Sequence, residues 1–157
     1  MFDQIAGLPV HALVLHATIV FVPLLALGAI VHAVVPRWRP RIGWAVFLLA
    51  IIAPIVTFVT RQSGLEFYDR VTTTGVSAAG KRILDGHMGF GKLTFWYTLA
   101  LGIVTLVVVT VTLRPSIRLP RVVELGLVVV MVALAAISGY YVFRTGDSGA
   151  TAVWGTY

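Results

Sequence analysis

Histidine is the residue in this chain best equipped for chemistry. His11 and His16 stand five residues apart at the head of the first apolar run, in GLPVHALVLHATIVF, and His87 opens another in GHMGFGKL. A neutral imidazole ligates haem iron, zinc or copper. Two imidazoles from facing helices would hold haem b between them, and two histidines with a carboxylate such as Asp147 would hold a transition-metal ion with a position open to water. There is no cysteine, so disulfides, thiolate metal sites, iron–sulfur clusters and cysteine nucleophiles are excluded. The chain has no Ser-His-Asp arrangement, paired buried carboxylates, phosphate loop or dinucleotide fingerprint, and so no conventional enzyme motif.

The elements that must position these groups are read from composition. In 157 residues, 59% are hydrophobic and only 11% charged, outside the range of soluble domains. Crossing a hydrocarbon layer of roughly 30 Å takes about 20 apolar residues in helix. Four runs qualify, at residues 10–35, 42–60, 88–113 and 122–143, leaving residues 61–86 as an outer loop. The first run follows Asp3 with no Lys or Arg before it, and it is far longer than the core of a secretory signal, so it reads as a retained span. The expected fold is an all-α membrane protein of one domain, residues 1–157. Its four transmembrane helices form an up-and-down bundle, because short connections force sequence neighbours to pack antiparallel.

A net charge of +6 could suggest nucleic acid, but the basic residues cluster in short connections, where they act as topology signals. Arg37, Arg39 and Arg41 crowd residues 36–41, and Arg114, Arg118 and Arg121 crowd residues 114–121. Both stretches are expected in the cytoplasm, with both termini outside; nucleic acid is not an expected partner. Pro23 and Pro54 should kink spans one and two. Ser63, Gly64 and the TTTG at Thr72 to Gly75 read as turns, with LEFYDRV between them as an amphipathic turn of helix or a plain lid.

At about 1.5 Å per residue from the cytoplasmic ends, His11 stands about 37 Å up, His87 about 40 Å and Asp147 about 39 Å, one shared level at the outer interface. His16 at about 30 Å, Lys92 at about 33 Å and Arg61 at about 30 Å form a deeper layer. His11 and His16 lie about 140° apart on a regular helix, so they serve one site only if the helix begins irregularly. Candidate cofactor ligands are therefore His11, His16 and His87, with Lys92 and Arg61 to offset acid groups or meet a quinone oxygen; the candidate metal set is His11, His87 and Asp147. Set against these is a plainer reading: interfacial histidines bonded to water or carbonyls, and Lys92, Arg61 and Arg144 reaching outward along their stems. His32, Trp38 and Trp44 read as interfacial residues, and Glu124 as a partner of Arg121 or Arg118.

Three stretches, GLPVHALVLH, GHMGFGKL and TGDSGATAVWG, occur in this order along nearly the whole chain, which resembles a bacterial membrane family, domain of unknown function 2231. The resemblance implies a small multi-span bundle of the bacterial cytoplasmic membrane with its motifs on one side. His11 and His16 match the two histidines of the family's first motif, whereas Ala12, Ala17 and Thr18 depart from it. His87 and Gly91 match HxxxG, and Asp147 stands where some relatives carry histidine.

The leading functional expectation is a haem b or transition-metal site in a membrane redox assembly. The rival is a structural or accessory membrane subunit without cofactor, docking a partner complex or a second copy. A small transporter ranks third, because the middles of the spans are almost wholly apolar.

Overall fold

The computed structural model describes residues 4–5, 8–114 and 119–155. Helix α1 covers Val10–Val34, α2 Arg39–Thr74, α3 Ala78–Thr112 and α4 Arg121–Trp154. Ahead of α1, Gln4–Ile5 (β1) and Leu8–Pro9 (β2) form a two-residue antiparallel pairing, and one turn of 3-10 helix at Pro36–Trp38 joins α1 to α2. All four helices are long and apolar enough to cross a membrane. Helices satisfy every backbone polar group within the segment, as a bilayer core demands. Each packs on its sequence neighbours, and α4 closes the ring on α1, while α1 and α3 scarcely touch across the diagonal. Large apolar side chains, among them Ile19, Leu24, Leu27, Ile55, Ile103 and Val129, stay exposed around the outside. The chain sits in a lipid bilayer, which is what those side chains meet.

The expected outer loop at 61–86 is not one. Except for residues 75–77 it is helix, and LEFYDRV is simply the continuation of α2. At 36 residues α2 is about 54 Å long, against roughly 30 Å of hydrocarbon, so it projects well beyond the apolar layer. The turn comes at Gly75, whose φ of 101° suits only glycine well, and α3 starts on the Ser77 hydroxyl, which accepts from the Gly80 N–H at 3.0 Å. Outside the apolar stretch Tyr68 donates to Asp85, and Lys81 Nζ lies 3.0 Å from the same carboxylate, pinning the two extensions together. Both Pro23 and Pro54 are carried inside unbroken helices.

The core is made mostly of small residues, with Ala26, Ala29, Ala33, Ala50, Ala53 and Ala135 around Leu25, Leu101 and Met131. Small residues let helix backbones approach where apolar surface alone gives no drive to associate. His32, read from sequence as interfacial, is instead fully buried, its Nε2 2.9 Å from Thr112 Oγ1, a hydroxyl that itself donates to the Val108 carbonyl at 2.7 Å. Glu124 pairs with Arg39, not with Arg121, at 2.9 Å; Arg118 lies outside the described residues. Arg39 also donates to the His32 and Ala33 carbonyls at 3.0 and 3.1 Å. One guanidinium thus caps the C-terminus of α1, where carbonyls lack helical partners, and ties it to α4.

The burial pattern exposes an internal duplication. Thr18, Val22, Leu25, Ala26, Ala29, His32 and Ala33 are buried in α1, and the positions 76 further on are all the buried residues of α3: Thr94, Thr98, Leu101, Gly102, Thr105, Val108 and Val109. Likewise Val46, Ala50, Ala53 and Thr57 of α2 correspond, 85 further on, to Met131, Ala135, Ser138 and Val142, all the buried residues of α4. The bundle is two similar helical hairpins, α1–α2 and α3–α4, facing each other.

Candidate functional site

The duplication places one histidine in each hairpin. In the first turn of α1, His11 Nδ1 lies 3.1 Å from the Thr60 carbonyl on α2. At the matching place on α3, His87 Nδ1 lies 3.0 Å from the Thr145 carbonyl on α4. A carbonyl only accepts, so in both rings Nδ1 carries the proton and Nε2 keeps its lone pair. Ser63 and Ser148 reinforce the two contacts, donating to Thr60 and Thr145 carbonyls at 3.0 and 3.1 Å while standing beside the ring nitrogens.

One helical step deeper, the hydroxyls of Thr18 and Thr60 meet at 2.7 Å, and those of Thr94 and Thr145 at 2.8 Å. Each hairpin therefore carries the same device, His-x6-Thr on its first helix against Thr-x2-Ser-Gly on its second. The glycines make room for the rings: a Cβ on Gly64 would lie 3.0 Å from His11 Cε1, and one on Gly149 would lie 3.1 Å from His87 Cε1. Gly64→Ala and Gly149→Ala should each displace an imidazole and destabilise the bundle by about 1–3 kcal/mol. Gly126→Ala, where a Cβ meets nothing within 4 Å, should be neutral or slightly stabilising. Thermal unfolding of the detergent-purified variants checks this.

The two imidazoles adjoin in an edge arrangement, with ring centroids 6.1 Å apart and planes at 86°. The Phe67 ring lies 6.2 Å from His11 and nearly parallel to it. Both histidines line a cavity of about 320 Å³ whose inner wall is Thr18, Thr57, Thr60, Thr94 and Thr145. Arg61 and Lys92 also line it, and no carboxylate among the described residues does.

Two of the residues singled out from the sequence do not join them. His16 is exposed, its Nδ1 2.8 Å from the Ala12 carbonyl of its own helix; α1 is regular from Val10 onward, so the 140° separation from His11 turns it outward. Asp147 is exposed and does not line the cavity, because Thr145 and Ser148 take the inward positions of that turn. The His11, His87 and Asp147 metal set is accordingly not assembled, and among the described residues no three His, Asp or Glu side chains gather as metal ligands. Thr60, Ser63, Gly64, Thr145, Ser148 and Gly149, which position the rings, were missed by reading from residue type alone; the repeated His-x6-Thr and Thr-x2-Ser-Gly spacings are the signal that finds them.

No curated protein and no solved structure matches the chain. A family model described as a predicted membrane protein, DUF2231, matches residues 7–156, which include both histidines, both glycine-backed carbonyl contacts and all four helices. The chain belongs to that family of membrane proteins, domain of unknown function 2231.

Proposed function

We propose that His11 and His87 would hold a haem b through their Nε2 atoms, and that the chain is a small electron-transfer subunit of the membrane. The observation that carries this reading is the pair of neighbouring imidazoles, each oriented through Nδ1 by a carbonyl and each left with Nε2 for a ligand. Holding a metal-bound histidine through its other nitrogen fixes tautomer and ring orientation. A bare transition-metal ion needs three or four protein donors, and only two histidines meet here among the described residues. A porphyrin brings four equatorial nitrogens and asks the protein for two imidazoles.

Bound there, haem supplies reversible one-electron chemistry. The chain's own residues do the rest: the threonines of the inner wall bond to one another and to backbone carbonyls, the apolar helices exclude water, and Arg61 and Lys92 offset acid groups. The arginine-rich ends at 36–41 and 114–121 support a cytoplasmic placement of those connections, with the histidines and both termini on the outer side of a bacterial cytoplasmic membrane and residues 1–157 forming one unit.

The test is an oxidised and dithionite-reduced visible spectrum, with metal analysis, of protein purified in detergent from haem-supplied cells. A Soret band that sharpens on reduction, at about one haem per chain, is the expected result. Stoichiometric zinc or copper without it would replace haem by a metal ion, and a colourless, metal-free protein would leave an accessory subunit whose histidines only clamp helix ends.

A further inference from the structure

The duplication makes the two seams between the hairpins comparable position by position. On the α2/α3 seam the cavity is lined by Arg61 and Leu65 of α2 and by Met88, Gly89, Gly91 and Lys92 of α3. Their counterparts on the α4/α1 seam are Gly146 and Ala150, and Ala12, Leu13, Leu15 and His16. None of these six lines the cavity, so among the described residues its lining extends onto the α2/α3 seam and not onto the other.

Two differences between the seams account for the opening and its character. Glycine replaces leucine at Gly89 and Gly91; a Cβ on Gly89 would meet nothing within 4 Å, and one on Gly91 only Thr145 Cγ2 at 4.0 Å. Cations occupy both flanks, Arg61 where the other seam has Gly146 and Lys92 where it has His16. Arg61 donates to Gln62 Oε1 at 3.1 Å, and neither it nor Lys92 has an ion-pair partner among the salt bridges of the described residues. Two cations at the edge of a cavity that no carboxylate among the described residues lines give an anion a place to bind. Guanidinium forks match carboxylate and phosphate geometry, and an ammonium adds a point charge.

We propose that the α2/α3 seam is an acid-binding portal, in which Arg61 and Lys92 hold a carboxylate or phosphate while the ligand's apolar body passes over Gly89 into the cavity beside His11 and His87. The inference rests on that cavity being a ligand site, and it fixes the side from which the ligand enters and the group left at the bilayer edge. A haem with its two carboxylates and an anionic lipid headgroup offer the same chemistry.

The full chain, stripped of any cofactor in detergent, is titrated with haem, with haem dimethyl ester, with short-chain phosphatidylglycerol and the diacylglycerol that lacks its phosphate, and with inorganic phosphate. Soret absorbance follows the haems and tryptophan fluorescence the others. Acid-bearing probes should bind about tenfold or more tightly than their neutral partners, and the advantage should vanish in Arg61→Gln/Lys92→Gln. Gly89→Leu should weaken binding with both cations in place, and His16→Gln on the opposite seam should change nothing. If neither haem binds but phosphatidylglycerol shows this dependence, the portal stands for a lipid acid and the haem reading fails; competition by inorganic phosphate assigns recognition to the acid group alone. Equal affinity for acidic and neutral probes, or full retention of the preference in the glutamine variant, overturns the proposal.

Discussion

His87→Ala and His11→Ala are expected to abolish the low-spin haem spectrum to the same degree, each lowering haem affinity by at least about a hundredfold, beyond the 10–100-fold loss usual when a residue supporting a ligand is removed. The equality follows from the duplication. Each ring stands on the first helix of its hairpin and is aimed by the carbonyl of a threonine on the second, so neither ring is held better than the other. His16→Ala should leave the spectrum unchanged, because that ring is exposed and engaged with its own helix. Ser63→Ala and Ser148→Ala should have small, matched effects, since the carbonyls of Thr60 and Thr145 still orient the rings. Losing one histidine–carbonyl bond costs about 1 kcal/mol of stability, so a circular dichroism melt separates lost ligation from lost fold. A full spectrum in either alanine variant would remove the axial assignment.

The parts of this architecture visible in sequence are those fixed by the solvent. Apolar runs of span length must become helices, and counting turns from the arginine-rich ends brings His11 and His87 to one level. The chain beyond the hydrocarbon was misread for the same reason. Ser63 and Gly64 look like a turn when they follow an apolar run, but inside a bundle they are a helical packing point: Gly64 is small because His11 lies against it, and Ser63 bonds back to the Thr60 carbonyl. The duplication stayed hidden because the two hairpins differ in length. Histidine and carbonyl partner are 49 residues apart in one and 58 in the other, so no fixed period runs through the chain. Glu124 shows the limit of sequence proximity as a guide, since Arg39 reaches it from the start of α2.

Gly102 is where the bundle should be least forgiving. A Cβ there would lie 2.7 Å from the Ala50 carbonyl oxygen and 2.7 Å from Pro54 Cγ, with backbone on one side and a rigid ring on the other. Neither can swing aside as the tip of a flexible side chain could. The geometry has a local cause: Pro54 has no N–H to give the Ala50 carbonyl, its partner four residues back, and α3 comes close enough at Gly102 to cover that oxygen. Gly102→Ala should therefore cost about 1–3 kcal/mol despite alanine's better helix propensity, and Gly102→Leu should fail to give a folded bundle. At the equivalent of Gly102 the first hairpin carries Ala26, and at the equivalent of Pro54 the second carries Gly139, so a side chain and a proline ring never coincide in either seam. Pro54→Ala should accordingly relieve part of the Gly102→Ala defect, the double variant being more stable than the sum of the single losses. Thermal unfolding of the four proteins measures this coupling. Gly102 lies about 22 Å along α3 from His87, so the folded fraction of Gly102→Ala should keep the ligand-binding properties of the parent. Simple additivity in the cycle would mean that ring and glycine are not in contact and that α2 and α3 are held apart at this level by something else.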